Sequence, residues 1–374
     1  MAGIYIHIPF CKRKCHYCNF FSLATTKFRT EFLSALLIEI SLQKDYLQLE
    51  QIDSIYFGGG TPSLLSFDEL NQIFEKLYKY FNISKTAEIT LEANPDDLSK
   101  EYLADLRKTS VNRLSIGIQS FDNHELEYVN RVHTSEEAIY SVKAAQDNGF
   151  HNLSLDLIYG IPISTLSSWE SNLKIIEGLN ADHLSAYSLT QEPNTAYDVL
   201  VKKGKLNAPE DEKAVMQYQM LQDLLSTIQM EQYEISNYAR NEKYAVHNTN
   251  YWRGISYLGL GPSAHSFNGI SRQWNIAQMK KYIDSLNNQN VPSTIELLKL
   301  ENQWNELIMT GIRTKWGIDM KLIQERFPKA WIDSLHHSAI KQIASGHLMK
   351  ENGSYVLSKK GKLFADGIAA DFFR

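Results

Sequence analysis

A chain of 374 residues, 43% hydrophobic and 22% charged, has room for one large domain and a small one around a sizeable core. Its net charge of −5 argues against broad nucleic-acid binding and against electrostatic attachment to an anionic membrane. The opening Met1-Ala2-Gly3-Ile4-Tyr5-Ile6-His7 has no basic segment leading into an apolar one, and no apolar run reaches the roughly 18 residues of a membrane span, so a soluble cytoplasmic protein is expected.

From residue 3 to about residue 190 one unit recurs: a short apolar strand, a polar turn, then an amphipathic stretch at helical spacing. Strands are predicted at Ile4–Ile8, Ser54–Phe57, Glu88–Glu92, Arg113–Ile118, Leu153–Tyr159 and His183–Leu189. Between the first two, Phe32, Leu33, Leu36, Leu37 and Ile40 share one helical face. Between the next two, Leu70, Ile73, Phe74 and Leu77 do the same behind Ser66, Asp68 and Glu69 as capping residues. Alternating strands and helices imply parallel strands with right-handed crossovers. Polar and Gly-rich residues recur where the strands end, which favours an open (β/α)6 partial TIM barrel, an α/β fold, over a doubly wound sheet.

Residues 191–290 are less regular: a helix at Glu210–Thr227 leads into an aromatic, Gly-rich stretch. From about 295 short helices follow at Trp304–Arg313, Met320–Phe327 and Trp331–Ala344, then two strands flanking Asn352-Gly353, a hairpin signal, and a closing helix near Lys360. The expected organisation is a core barrel over 1–235, a connecting segment over 236–294 and a winged-helix-like α+β module over 295–374. That module carries 12 Lys+Arg against 9 Asp+Glu with no basic helix face, so a structural or covering role is preferred to DNA binding.

All three cysteines of the chain fall in Cys11-Lys12-Arg13-Lys14-Cys15-His16-Tyr17-Cys18. An odd number so close together makes a poor disulfide framework. Three thiolates on one loop can reach three corners of an iron–sulfur cubane and leave the fourth iron open for a small bidentate ligand. Lys12, Arg13 and Lys14 are expected to lower the thiol pKa values. Zinc on the three thiolates plus His16 or His7 is the competing reading, although structural zinc usually takes its ligands as two separated pairs.

The run Tyr5-Ile6-His7-Ile8-Pro9-Phe10-Cys11 through Cys18 resembles the opening of the radical S-adenosylmethionine (SAM) enzymes. More narrowly it resembles the oxygen-independent coproporphyrinogen III oxidase family and its relatives, the HemW-type haem chaperones, and the likeness extends over essentially the whole chain. The resemblance implies a [4Fe–4S] cluster on Cys11, Cys15 and Cys18 and a bound SAM. It implies that Gly58-Gly59-Gly60-Thr61-Pro62, where glycines admit a ligand close to the backbone, holds the methionine ammonium. It also carries Glu92, Gln119, Arg131 and Asp156 to the nucleoside, which needs a guanidinium for its carboxylate and acceptors for its ammonium and ribose hydroxyls. Tyr5 and the backbone of Tyr17 are placed near the nucleoside; a simply packed aromatic is the alternative for Tyr5. One-electron reduction of such a cluster cleaves the sulfonium to methionine and a 5′-deoxyadenosyl radical.

Oxidase and chaperone share fold and cluster, and three features separate them here. The oxidases carry a further cysteine two residues past the last cluster ligand, where Cys18-Asn19-Phe20 has phenylalanine. They also carry a long segment ahead of the first strand, whereas Cys11 comes early. Finally, His247-Asn248-Thr249-Asn250-Tyr251-Trp252 matches the His-Asn-x-x-Tyr-Trp motif of the haem-binding branch. An imidazole can ligate haem iron while Tyr251 and Trp252 offer flat faces to a porphyrin; the alternative is a histidine satisfying backbone groups among core aromatics. His265 is a second ligand candidate. The resemblance thus implies a haem chaperone rather than a coproporphyrinogen dehydrogenase, with apo-haemoprotein recipients, an electron donor for the cluster, peripheral membrane contact and a homodimer among its partners. Oxidative decarboxylation of coproporphyrinogen III is the alternative function.

Overall fold

The computed structural model describes residues 1–374. The six apolar runs form β1 (Ala2–Ile8), β2 (Ile52–Gly59), β3 (Ile83–Ala93), β4 (Arg113–Gln119), β5 (Leu153–Tyr159) and β6 (His183–Ser188). Each pairs in parallel with the next. Helices cross over between them, as parallel pairing requires. Side chains alternate across this sheet. On β4, Leu114, Ile116 and Ile118 are buried under the helices. Arg113, Ser115, Gly117 and Gln119 line a cavity on the other face.

The helices follow from local chemistry. Phe67–Tyr80 begins at Ser66, whose side chain accepts from Glu69 N–H while the Glu69 carboxylate accepts from Ser66 N–H, a capping box worth about 1 kcal/mol. Arg29–Leu42 buries Phe32, Leu33, Leu36 and Ile40, and with them Glu39. That carboxylate accepts from Tyr282 Oη (2.6 Å), Gly261 N–H (2.7 Å) and Asn275 Nδ2 (2.5 Å). Burial holds its pKa above the usual carboxyl range even so.

The stretch 236–294 is more than a connection. With β7 (Glu231–Glu234), β8 (Asn237–Ala239), β9 (Tyr257–Leu260), β10 (His265–Phe267), β11 (Ser271–Asn275) and β12 (Ser293–Leu297), the sheet reaches twelve strands, ordered β12-β11-β10-β9-β1-β2-β3-β4-β5-β6-β8-β7. Strand β9 is parallel to β1, and β8 is antiparallel to both β6 and β7. The division expected at residue 235 therefore falls between two paired strands. At three to five residues each, β8 to β12 are too short to display a two-residue period. The two ends of the sheet do not pair, so the arc stays open.

The last part has its own core around Trp304, Ile308, Leu335 and Ile368. Its elements come in the order read from the sequence: helices Leu300–Ile312, Met320–Arg326 and Lys329–Ala344, then the hairpin of β14 (Leu348–Glu351) and β15 (Ser354–Leu357), with β13 (Ile318–Asp319) beside β15. It is stitched to β7 by Ile235 N–H to Arg313 O (3.1 Å) and Lys315 N–H to Tyr233 O (2.9 Å).

Candidate functional site

The cysteine loop is closed at its base, where Leu23 N–H donates to Pro9 O (2.7 Å) and Cys11 N–H to Leu23 O (3.0 Å). On one side it rests on the Gly-rich turn after β2, through Gly60 N–H to Ile8 O (2.8 Å) and Thr61 N–H to Phe10 O (2.7 Å). Close approach dictates the residue type here: a Cβ on Gly60 would lie 2.7 Å from both carbonyl oxygens, and Gly59 has φ +102°. On the other side His16 N–H donates to Val129 O (3.1 Å) and Asn130 Nδ2 to Lys14 O (2.8 Å). Tyr17 packs against the small apolar cluster of Val129, Ile158, Ile161, Leu189 and Tyr197.

Cys11, Cys15 and Cys18 carry no disulfide and line one end of a cavity of about 630 Å³ that runs along the inner face of the strands, from their C-terminal ends to Arg113 and His183 at the starts of β4 and β6. The expected activation by flanking cations is not what the fold builds. Lys12 is taken up by Asp96 (2.7 Å) and Asp97. Burial pushes the Cys11 and Cys18 thiols up despite the pull of Arg131 on the first and of Lys14 on the second. The cation that does reach sulfur is Arg131, whose Nη1 donates to Cys15 Sγ at 3.3 Å. Its Nη2 donates to Asn94 Oδ1 and Gly117 O (2.7 Å each), while Nε is buried without a partner.

Glu92, Gln119 and Asp156 converge on the same cavity with Tyr5, Gly59, Gly60 and Thr61. Glu92 accepts from Tyr56 Oη (2.7 Å) and Gly59 N–H (3.2 Å), yet burial lifts its pKa to about 7. Asp156, likewise buried, is lifted to about 6 although Ser115 (3.1 Å) and Ser154 (3.4 Å) donate to it. Gln119 sits where β4 slips register against β5, at φ +66°. Tyr5 Oη meets His7 Nδ1 at 3.1 Å.

The histidine motif forms the helix Val246–Trp252, and His247, Asn248 and Tyr251 face this cavity too. His247 Nδ1 lies 2.9 Å from Ser54 Oγ, and its ring stacks on Tyr56 with centroids 5.1 Å apart. Burial and the Arg113 charge hold its pKa at about 4. Trp252 is set apart: it lies outside the cavity lining, beneath the Arg313 guanidinium at 5.2 Å. His265 is exposed on β10, stacked on Trp274, and does not reach the cavity.

Sequence reasoning missed the polar inner face of β4 to β6, where Arg113, Ser115, Ser154, His183 and Ser185 surround Asp156. The signal was present as alternation: Arg-x-Ser-x-Gly-x-Gln on β4, Ser-x-Asp on β5 and His-x-Ser-x-Tyr on β6.

Residues 5–176 match the family model of the radical SAM superfamily, and residues 298–364 match that of the HemN C-terminal domain. A curated protein of Bacillus subtilis named heme chaperone HemW is 35% identical over 100% of this chain and 99% of its own. The chain belongs to the HemW family. A HemW of Mycobacterium tuberculosis is 30% identical over 98% of this chain and 93% of its own. Among solved structures, the Escherichia coli coproporphyrinogen III oxidase HemN superposes with a TM-score of 0.86 over 100% of this chain and 90% of that one, at 23% identity, a likeness of fold. Membership of the radical SAM superfamily implies a [4Fe–4S] cluster and SAM as cofactors. The donor set fits them: three thiols on one loop, a buried guanidinium touching one sulfur, and a ligand-sized cavity beside both. No helix is long and apolar enough to cross a membrane.

Proposed function

We propose that this chain is a cytoplasmic haem chaperone that binds haem and delivers it to apo-haemoproteins, with a [4Fe–4S] cluster on Cys11, Cys15 and Cys18 and SAM beside it. The observation that carries this reading is the placement of His247. Its ring makes its single hydrogen bond through Nδ1, and Nε2 is left without a partner in the cavity that the cysteines line. Buried histidines mostly engage their polar atoms, and unlike His133, whose unpartnered Nδ1 is sealed in the interior, His247 turns its second nitrogen to a cavity.

When bound, the cluster supplies an iron without a protein ligand and one-electron chemistry toward the sulfonium. The residues do the rest. Arg131 takes the SAM carboxylate, Glu92 and the Gly59–Thr61 turn take its ammonium, and Gln119 and Asp156 take ribose hydroxyls. Tyr5 and the backbone of Tyr17 wall the nucleoside. The flat face of Tyr251 and the amide of Asn248 flank the porphyrin. Trp252 supports the helix from behind instead of meeting the ring system. Zinc on the three thiolates is the weaker reading, because structural zinc usually takes its ligands as two separated pairs. Phe20 is exposed at the cavity mouth, where the oxidases place a cysteine. An electron donor for the cluster, peripheral contact with membranes that house recipients, and a homodimer complete the reading.

The test is a haemin titration of the cluster-reconstituted protein under anaerobic conditions, following the Soret band in wild type and His247→Ala. Saturation near one haem per chain, weakened or shifted in the variant, supports the proposal. Absence of saturable binding sinks it and directs the next assay to coproporphyrinogen III turnover with SAM and a reductant.

A further inference from the structure

Behind the motif helix the sheet buries an ion pair that the haem reading leaves unexplained. Glu88 on β3 is 8% exposed and Arg113 on β4 2% exposed, with Nε and Oε2 3.8 Å apart. Burying charges is costly unless they are paired and hydrogen-bonded, and this pair is both. Here each carboxylate oxygen accepts one backbone N–H at the start of the helix: Oε2 from Val246 (3.0 Å) and Oε1 from His247 (3.0 Å). The imidazole of the same residue is gripped separately, by Ser54 Oγ on β2 at Nδ1 and by the Tyr56 ring. Gly3 on β1 closes the remaining side; a Cβ there would stand 3.3 Å from the imidazole and 3.0 Å from Ser54 Oγ. Four neighbouring strands thus fix the backbone, the rotamer and one ring nitrogen of a single histidine.

We propose that Glu88, backed by Arg113, and Ser54 are positioning residues that preset His247 to ligate haem iron through Nε2. Ligation at Nε2 puts the ring proton on Nδ1, and Ser54 Oγ is placed to accept it, the arrangement by which a partner of the distal nitrogen fixes tautomer and plane in metal-bound histidines. Glu88 acts one step further back, by anchoring the two peptide groups from which the imidazole projects. The inference rests on the haem-chaperone reading and deepens it.

Haemin is titrated into wild type, Ser54→Ala, Glu88→Gln and His247→Ala. The readouts are affinity, the low-temperature electron paramagnetic resonance g-values of the ferric complex, and the melting curve of the haem-free protein. Loss of partners in this position typically weakens metal affinity about 10–100-fold. Ser54→Ala and Glu88→Gln are expected to bind in that weaker range with altered g-values while the haem-free melt stays cooperative, and His247→Ala to lose the histidine signature altogether. If His247→Ala loses the signature but both positioning variants keep wild-type g-values, whether or not affinity drops, the proposal is overturned and the haem reading stands. If wild type itself shows no saturable binding, the haem reading fails and the proposal fails with it. Glu88→Gln is nearly isosteric; if it does not fold, Ser54→Ala alone decides.

Discussion

Arg313→Ala tests whether the C-terminal module is an attachment or a working part of the site. Arg313 ends the helix Leu300–Ile312, and its Nε reaches Glu234 at 3.4 Å. Glu234 is 2% exposed and also accepts from Ser236 N–H (3.0 Å) and Asn237 Nδ2 (2.6 Å). Breaking a buried ion pair by removing one partner costs about 3–5 kcal/mol. The two remaining donors put this case at the lower end, about 3 kcal/mol. The second ion pair of Arg313, with a 74% exposed Asp366, adds at most about 1 kcal/mol. The guanidinium over Trp252 adds a similar amount. Urea unfolding of wild type, Arg313→Ala, Glu234→Gln and the double variant separates these terms. Arg313→Ala should cost about 4–5 kcal/mol in the wild-type background and about 1–2 kcal/mol beside Glu234→Gln. Haemin affinity should fall too, because Arg313 backs the helix that presents His247. A cost below about 0.5 kcal/mol, or one equal in both backgrounds, would refute the reasoning.

Other expectations follow from the same geometry. Glu92 at about 7 and Asp156 at about 6 keep their protons to higher pH when folded than when unfolded. Their contribution to stability is therefore complete below about pH 4 and lost as pH rises to about 7. His133 and His247, both held at about 4, act in the opposite sense and lose stability as pH falls from about 6.5 to about 4. Glu92→Gln should raise the urea midpoint at pH 7.5 relative to that at pH 5.5, compared with wild type, because the loss that Glu92 contributes as pH rises is removed; an unchanged difference between the two midpoints would discard the assignment. Because Glu92 is about half protonated near neutrality, an ammonium placed against it should release a fraction of a proton; calorimetry of SAM binding in buffers of different ionisation enthalpy would detect this, and Glu92→Gln should abolish it. Gly60→Ala drives a methyl into two carbonyl oxygens at the base of the cysteine loop, so iron and sulfide content after reconstitution should fall sharply. Wild-type cluster content in that variant would show that the turn yields.

The sequence made legible whatever depends on period and on punctuation. Six parallel strands showed as apolar runs, and the helix after Ser66 showed its capping box in Ser66 and Glu69. Cysteine spacing pointed to the loop that the fold does place at the cavity. What stayed hidden depends on contacts between distant segments. Strands β8 to β12 are too short to announce themselves and exist because β6 and β1 offer them edges. Lys12 reads as a cation for the thiols until Asp96 and Asp97, more than eighty residues on, take it away. Trp252 is adjacent to Tyr251 in the motif but a helix turns successive side chains by 100°, which sends one to the cavity and the other to Arg313. Glu88 looked like an ordinary residue of a strand end, and only its two bonds to Val246 and His247 distinguish it.

The ionisable groups around the cavity share a logic that no single residue shows. Burial raises Glu92 and Asp156 and lowers His247, so each is pushed toward its neutral form. Arg131 cannot be neutralised in that way and is instead wrapped by Cys15 Sγ, Asn94 and Gly117 O. Such a wall carries little uncompensated charge of its own, yet it answers a zwitterion with the opposite charge at each end: an ammonium draws the proton off Glu92, and a carboxylate is drawn by the permanent charge of Arg131. The neutral imidazole of His247 at the same wall is the form that ligates iron. A cavity arranged this way favours ligands whose charges match its latent ones and rejects simple ions, because a lone anion or cation would satisfy one end and leave the other buried and unpaired.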